Sequence, residues 1–236
     1  MSATRRPTWS RIGRTVLGGL AVGLATLAYT WMSLPDVRVL RRENPASTAF
    51  MRLRAAEADE AGQPRVERRR WVNYSRISPA LIEAVRVAED ASFWQHDGID
   101  LGEIRASIEE NLAKGGPLRG ASTITQQLAK NLYLSPARNP YRKVTELFIA
   151  RHLEAELSKG RILELYLNLI EWGDGIWGAE VAAETYFGIS AADLSSEQAA
   201  LMAAAIINPR VYSPARPNAT LLKRQRKILA RMGAGS

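Results

Sequence analysis

The chain has 236 residues, of which 46% are hydrophobic, so it is long and apolar enough for roughly one or two folded domains and is not a disordered chain. Its 32 lysines and arginines outnumber 24 acidic residues, and the net charge of +8 favours anionic partners such as phosphate-bearing substrates or anionic lipid head groups. The basic residues follow no zinc-finger, basic-zipper or RNA-binding pattern, so we expect no nucleic acid as a partner. Cysteine is absent, which excludes disulfides, thiolate metal sites and a cysteine nucleophile.

The N-terminal segment predicts a membrane anchor. Residues 15–35 carry no charge and have about the length of a helix that crosses the roughly 30 Å hydrocarbon core of a bilayer. Four arginines lie within residues 1–14, and because positive flanks stay in the cytoplasm, we expect a cytoplasmic N-terminus and a single pass. A cleaved signal peptide is the alternative, although the apolar run is long for one. A buried soluble helix would show a polar face, and this segment has none.

Residues 36–70 are charged and irregular, with breaks at Asn44-Pro45 and at Gly62-Gln63-Pro64. We interpret them as a juxtamembrane connector with one short helix, whose arginine clusters are most simply solvated surface. Helical patterns dominate afterwards, and we predict one mainly α domain over residues 71–236. Three glycines and a proline within residues 114–120 predict a mobile loop in it.

Two helix starts in this domain carry clear capping signals. Ser78-Pro79 places a typical N-cap before a proline at the first helical position, and the helix is predicted to run toward Trp94. Ser195, with Gln198 three positions later, resembles a capping box before an alanine-rich helix. Further helices are predicted over residues 99–113, 122–132, 141–157 and 160–172.

A first candidate for chemistry is the segment from Glu89 to Gly98, which also contains Asp90, Phe93 and His96. If this segment is helical, Glu89, Phe93 and His96 share one face. A carboxylate beside aromatic rings is partly desolvated, which raises its pKa and its strength as a base. Taken alone, the segment is more typical of a helix end with ordinary acidic residues and a hydrogen-bonded histidine.

The second candidate is the segment 120–131, in which Thr123, Gln126, Gln127 and Lys130 fall on one helix face. Neutral hydrogen-bonding groups with one cation suit sugar hydroxyls and phosphate. A solvated surface face is the alternative, but such faces usually mix glutamate with lysine and this one has no acid.

Two later segments are ordinary by themselves. Arg142 and Glu146 are spaced for a routine i, i+4 ion pair, worth about 0.3–0.5 kcal/mol. Residues 162–168, followed by Gly173 and Gly178, indicate an amphipathic helix and a glycine-broken turn, and this pattern favours structure over chemistry.

In order and spacing, the four segments resemble the motifs of the peptidoglycan glycosyltransferase family, the lysozyme-like domain of class A penicillin-binding proteins. The resemblance covers about residues 71–217, and residues 120–131 are its most specific part. The Ser-x-x-Lys and Lys-Thr-Gly motifs of a transpeptidase are absent, so the chain is similar to monofunctional members. Residues 171–175 resemble the form found in Gram-negative bacteria. The resemblance implies a lysozyme-like helical domain in the periplasm, behind one transmembrane helix in the inner membrane.

The resemblance also implies the substrate and the site. The substrate is lipid II, a disaccharide-pentapeptide on undecaprenyl pyrophosphate, and the nascent lipid-linked glycan is the donor. Glu89 matches the family's base and Glu146 its second essential carboxylate. The residues implied in substrate binding are Asp90, Phe93, His96, Ser122, Thr123, Gln126, Gln127, Lys130, Arg142 and Lys143.

No cofactor is implied as obligatory, but a divalent cation, Mg²⁺ or Mn²⁺, held near the pyrophosphate by Glu146 stays open. The implied partners are the lipid-linked substrates and the membrane, and proteins of cell division or elongation stay open too. Two other functions compete with this interpretation. A lysozyme-like hydrolase or lytic transglycosylase shares the fold but has no use for cations aimed at pyrophosphate, and a non-catalytic scaffold needs neither carboxylate.

Overall fold

The computed structural model describes residues 9–64, 67–114, 122–135 and 140–233. Its contacts divide the chain into two compact units, Met1–Asp36 and Val37–Ser236. Helices predominate in the described residues, and the strands there are only two or three residues long. The predicted mainly α fold class is therefore confirmed.

The first unit contains helix α1 (Trp9–Met32), whose 24 residues extend over about 36 Å. Its part Gly13–Met32 has a mean hydropathy of 1.4 and could cross a membrane by length and composition. Large apolar side chains such as Leu17 and Val22 are exposed along it. Exposed apolar surface of this extent is typical of a membrane-spanning helix and not of the core helix of a soluble domain.

The second unit is built mainly from helices. Those that the structure describes are α2 (Ala49–Glu60), α3 (Pro79–Glu89), α4 (Leu101–Lys114), α5 (Ile124–Tyr133), α6 (Pro140–Glu156), α7 (Lys159–Leu169), α8 (Ala179–Phe187), α9 (Ser196–Ala205) and α10 (Ala219–Gly233). The loop predicted over residues 114–120 lies outside the described residues, except for Lys114 at the end of α4.

Both capping signals are confirmed. The Ser78 hydroxyl accepts the backbone N–H of Ala80, and proline begins α3. Ser195 and Gln198 form both halves of a capping box at the start of α9. These helix starts depend on residues within one turn of each other, which is why the sequence predicts them well.

Two groups of helices form the core of the second unit. Helix α3 packs against α9 and α10, and α5 packs against α6 and α7. The buried residues of α9 include five alanines, whose small side chains allow neighbouring helices to approach closely. Leu128 of α5 and Leu163 of α7 are fully buried in the other group. These contacts fix the helices α3, α5 and α6, which carry the candidate site residues.

Of residues 36–70, predicted as a connector, the described ones from residue 37 onward are part of the second unit, and Leu40 in a short 3-10 helix (Arg38–Arg41) is buried there. Helix α2 packs against α5, with Met51 buried, and strand β1 (Arg68–Arg69) pairs with a later strand. The Arg69 guanidinium donates to the carbonyl oxygens of Pro45 and Ala46, at 3.0 and 2.7 Å. Little in the sequence indicates this packing, because Met51 is the one residue of α2 that is buried.

A small sheet follows α7, and the prediction of helix through residue 172 is wrong there. Strand β2 (Glu171–Gly173) is antiparallel to β3 (Ile176–Trp177), and β1 is parallel to β3 on its other side. Helix α7 ends at Leu169, and the next residue, Ile170, has an extended backbone with φ −75° and ψ 154°. Gly178 then starts α8 at a φ of +84°, where a β-carbon would lie 2.9 Å from the carbonyl oxygen of Asn168.

Candidate active site

Helix α3 ends at Glu89, and its predicted continuation toward Trp94 is wrong. Asp90 leaves the helical conformation with φ −164° and ψ 79°. Its carboxylate accepts the backbone N–H of Ile124 at 3.0 Å and pairs with Nε2 of His96 at 2.9 Å. A continued helix would carry the Asp90 carboxylate away from the start of α5. The chain therefore turns, and Glu89, Phe93 and His96 do not share a helix face.

The loop after Glu89 is held from several sides. The backbone N–H of Gly98 donates to Nδ1 of His96 at 3.1 Å, so Nε2 carries the proton that Asp90 accepts. Phe93 is fully buried, with the ammonium of Lys159 4.3 Å from its ring centroid. Asp90, Phe93 and His96 therefore hold the shape of the loop through contacts inside it. Their direct contact with substrate stays a prediction.

Glu89 lies half-buried at the C-terminal end of α3. Its Oε2 atom accepts a hydrogen bond from Nε2 of Gln127 at 2.8 Å. Burial raises the pKa of Glu89, while the Gln127 hydrogen bond and the charges of Arg224 and Lys130 oppose that rise. A carboxylate with a raised pKa is a stronger base, which is the property that proton abstraction from an alcohol requires.

A cavity of about 480 Å³ opens beside Glu89. Its lining includes Glu89, Ser122 and Thr123, and Arg231 reaches it from α10. The cavity is large enough for a sugar ring, and it places the carboxylate at its wall. The geometry therefore allows a hydroxyl group in the cavity to approach Glu89.

The second carboxylate, Glu146, is buried in α6 and holds two cations. Its Oε2 accepts from Nη1 of Arg142 at 2.8 Å, and its Oε1 accepts from Nζ of Lys143 at 2.5 Å. The predicted i, i+4 pair is thus confirmed. The Lys143 ammonium also donates to the Ser122 hydroxyl at 3.2 Å and to Oε1 of Gln126 at 3.0 Å. These contacts fix the ammonium between α5 and α6.

Lys130 interacts electrostatically with both carboxylates, Glu89 and Glu146. Burial lowers the pKa of Lys130, Glu146 raises it, Arg142 and Lys143 lower it, and Glu89 raises it. Lys130, Arg142 and Lys143 together place three cations around the single carboxylate of Glu146. The local excess of positive charge suits a phosphate or pyrophosphate group.

The polar face of α5 points inward, so its interpretation as a solvated surface is wrong. Thr123 caps the helix and donates to the carbonyl oxygen of Gly98 at 2.7 Å. Nε2 of Gln126 donates to the same oxygen at 3.2 Å, and Gln127 donates to Glu89. Thr123 and Gln126 are buried. This face joins the loop, Glu89 and the cations, and its contacts with sugar or phosphate stay predictions.

A divalent cation held by Glu146 stays a prediction, and it would have to share the carboxylate with two cationic side chains. Both carboxylate oxygens accept hydrogen bonds from cationic side chains, and an added metal ion would meet three positive charges. Asp90, His96 and Asp100 also lie close together. Asp90 and His96 bond each other and the N–H groups of Ile124 and Gly98, and Asp100 accepts from Ser92 and from the N–H of Glu103.

Three residues at the site were missed by sequence reasoning. Tyr166 of α7 donates its hydroxyl to Oε1 of Gln127 at 2.8 Å. Arg224 and Arg231 both belong to α10. The positive charge of Arg224 lowers the pKa of Glu89, and Arg231 lines the cavity. The available signal for Tyr166 was a phenol within a helix of mostly apolar core residues, because a buried hydroxyl requires a partner.

Known proteins resemble the chain over most of its length. The model of the transglycosylase family matches residues 56–233. A biosynthetic peptidoglycan transglycosylase of Nitrosospira multiformis is 49% identical over 82% of this chain and 84% of its own length. One from Laribacter hongkongensis is 46% identical over 92% and 96%, and one from Chromobacterium violaceum is 44% identical over 94% and 96%.

The family match begins within α2, so it includes all the elements that carry the loop, Glu89 and the cations. The relatives share nearly half of their residues with the chain across almost their whole length. Both findings agree with the two carboxylates and three cations that α3, α5 and α6 carry. The chain belongs to the transglycosylase family, whose domain is lysozyme-like and helical.

Proposed function

We propose that this protein is a peptidoglycan glycosyltransferase, which polymerises lipid II into β-1,4 glycan strands and releases undecaprenyl pyrophosphate. The observation that carries the proposal is the position of Lys130, which acts electrostatically on both the half-buried Glu89 and the Glu146 cluster. A base on one side of a cation cluster suits the attack of an alcohol on a carbon that bears a pyrophosphate. The relatives' common name, biosynthetic peptidoglycan transglycosylase, supports the same reaction.

In this reaction the 4-hydroxyl of the incoming GlcNAc attacks the anomeric carbon of the lipid-linked donor. Glu89 accepts the hydroxyl proton as the new carbon–oxygen bond forms, because an alcohol is a weak nucleophile. The bond from the anomeric carbon to the pyrophosphate oxygen breaks, and the pyrophosphate leaves with the bonding electrons. Direct displacement inverts an α-linked donor to a β-linked product.

The cations account for the second half of the site. Pyrophosphate is a good leaving group, so it needs stabilisation of its growing negative charge more than it needs a proton. Lys130, Arg142 and Lys143 supply that charge, and Glu146 holds the last two in place. Because Glu146 is buried and bound to both, its role is to orient these cations.

The main competing function is a lysozyme-like hydrolase or lytic transglycosylase. Such an enzyme uses a carboxylic acid of raised pKa to protonate a sugar leaving group, and the raised pKa of Glu89 alone would suit it. It does not need three cations beside the acid, and this cluster favours the synthetic reaction. A scaffold needs neither feature. Partners among cell-division or elongation proteins stay a prediction.

The function is tested with purified full-length protein, labelled lipid II and the variant Lys130→Ala. We expect the wild-type protein to produce long, lysozyme-sensitive glycan without peptide cross-links. Lys130→Ala should lose most of this activity, because the pyrophosphate loses a cation in a partly buried site. The matched control is Lys223→Ala, which removes an exposed lysine of α10.

Circular dichroism of both variants checks that the fold is retained. If the wild-type protein only degrades existing glycan, the synthetic function is wrong. If Lys130→Ala stays within a few-fold of wild type, the assignment of Lys130 to the pyrophosphate is wrong even though the function stands.

Membrane attachment fits a lipid-linked substrate. We propose that α1 anchors the protein in the inner membrane, with a cytoplasmic N-terminus and a periplasmic catalytic domain. Four arginines before the apolar span support this orientation. Confining enzyme and substrate to one surface raises their effective concentration.

The orientation predicts opposite results for two fusions to alkaline phosphatase, which is active only outside the cytoplasm. A fusion after Arg14 should be inactive and one after Ser236 active, because only the second passes through the membrane. An active short fusion with an inactive long one would overturn the orientation. Membrane-bound protein of full-length mass identifies an uncleaved anchor, whereas a shortened soluble form identifies a signal peptide.

A further inference from the structure

Tyr166 lies in the middle of α7 and is fully buried. Its hydroxyl donates to Oε1 of Gln127 at 2.8 Å, and Nε2 of Gln127 donates to Oε2 of Glu89 at 2.8 Å. The three side chains form one continuous line of hydrogen bonds from the core to the wall of the cavity. None of the four motif segments suggested a role for this tyrosine beyond packing.

We infer that Tyr166 is a positioning residue: it orients the Gln127 amide so that its N–H group faces Glu89 and keeps the base ionised and correctly aimed. This inference rests on the proposed function, in which Glu89 is the base. It adds a residue of α7 to a site that otherwise consists of α3, α5, α6 and α10.

The two ends of the Gln127 side-chain amide differ in their effect on Glu89. The NH₂ end of Gln127 stabilises an ionised carboxylate by donation, whereas its oxygen end would repel the same carboxylate. Nothing within the amide chooses between these orientations, so an outside group must do so. The Tyr166 hydroxyl has Oε1 of Gln127 as its acceptor among the described residues, and this bond places the NH₂ end toward Glu89.

The protonation state of Tyr166 makes this choice stable. Burial, together with the negative charges of Glu89 and Asp90, raises the pKa of Tyr166 well above 10. The phenol therefore keeps its proton at every pH at which the enzyme works. A buried O–H group must donate to avoid the loss of a hydrogen bond, so the orientation of Gln127 does not depend on pH.

The groups that face Glu89 come from four elements: Gln127 and Lys130 from α5, Arg224 from α10, Tyr166 from α7 and the adjacent Asp90. Tyr166→Phe keeps the ring and the three charged groups, Lys130, Arg224 and Asp90, and removes only the O–H that fixes the amide. Because the Gln127 hydrogen bond lowers the pKa of Glu89, weakening that bond raises the pKa. The base then ionises only at higher pH.

The test is the pH dependence of lipid II polymerisation by full-length Tyr166→Phe. We expect kcat at neutral pH to fall by about 10–100-fold, the range seen when outer-shell partners of metal ligands are removed. KM should stay within about twofold, because no substrate contact is lost. The acidic limb of the kcat profile should move to higher pH, and the titration of the Glu89 carboxyl, followed by carbon-13 NMR without substrate, should move the same way.

Tyr186→Phe is the matched control. It removes a tyrosine hydroxyl that is half-buried, whereas that of Tyr166 is fully buried, and that donates to the carbonyl oxygen of Trp172 at 2.8 Å instead of to Gln127. It should leave both the acidic limb and the NMR titration unmoved. The variant Gln127→Ala should shift both as Tyr166→Phe does, and the double variant should shift them no further, because the two residues act in series.

The outcomes separate this inference from the proposed function. If the wild-type protein does not polymerise lipid II, the function is wrong, and the NMR titration still decides whether Tyr166 controls the state of Glu89. If the wild-type protein is active and Tyr166→Phe leaves both the limb and the titration where they were, the inference about Tyr166 is overturned. The inference about Tyr166 is also overturned if Tyr166→Phe and Tyr186→Phe lose activity equally and both losses follow a lower melting temperature.

Discussion

Replacing Glu89 by glutamine is expected to slow lipid II polymerisation by about 10²–10⁴-fold, the usual effect of removing a general base. The amide has the shape of the carboxylate but cannot accept the proton of the attacking hydroxyl. Substrate binding should survive, because an amide oxygen still accepts the hydrogen bond of Gln127 and the cations are untouched. Turnover of labelled lipid II and affinity for the inhibitor moenomycin measure the two effects separately.

The same variant should be at least as thermostable as the wild-type protein at neutral pH. Burial raises the pKa of Glu89, so the folded protein binds its proton more tightly than the unfolded chain does. Above both pKa values, ionisation of Glu89 therefore opposes folding, and this cost disappears as the pH falls through the folded-state pKa. Glutamine carries no charge and removes the cost. Normal turnover would exclude Glu89 as the base, and a clearly lower melting temperature would contradict the burial argument.

Replacing Glu146 by glutamine is expected to reduce turnover by about 10²–10³-fold, the effect of losing one preorganised electrostatic contributor. An amide cannot accept from both Arg142 and Lys143, and its NH₂ end would face one of the two cations. The cations should then move apart, so the affinity for moenomycin should fall together with turnover.

Stability should also fall, in contrast to Glu89→Gln. Breaking a buried ion pair costs about 3–5 kcal/mol, and less here because the side chain of Lys143 is 43% exposed. The matched control is Glu109→Gln, which breaks the exposed i, i+4 pair with Arg105 and should change neither turnover nor stability noticeably. If Glu146→Gln loses turnover but binds moenomycin as the wild-type protein does, Glu146 acts only in the transition state and the orientation argument fails.

The features that could be predicted from sequence depend on residues close together in the chain. Ser78-Pro79 starts α3, Ser195 caps α9, and Arg142 pairs with Glu146, each within about one helical turn. The uncharged N-terminal span is likewise a local property. The motif resemblance extended this local reasoning to Glu89 as the base and Lys130 as the cation, because a motif records chemistry without requiring the fold.

The end of α3 depended on contacts that the sequence does not display. Local propensity continued this helix toward Trp94, but the Asp90 carboxylate accepts the N–H of Ile124, 34 residues later. This bond satisfies a buried N–H at the start of α5, which would otherwise lack a partner, and it accompanies the turn of the chain at Asp90. The end of α7 also depends on a contact outside the helix, because residues 171–173 pair with β3 instead of continuing the helix.

Tertiary structure alone also decided which polar groups face the base. Tyr166 belongs to a helix whose pattern indicates only core packing, and Arg224 and Arg231 belong to a helix outside the four segments. Helix packing brings the Tyr166 hydroxyl to Gln127, and the α10 cations to Glu89 and its cavity. Hydrogen bonds and charge interactions act over a few ångströms in space and not along the chain. The sequence by itself therefore predicted Glu89 as the base, whereas the fold determined which side chains contact its carboxylate.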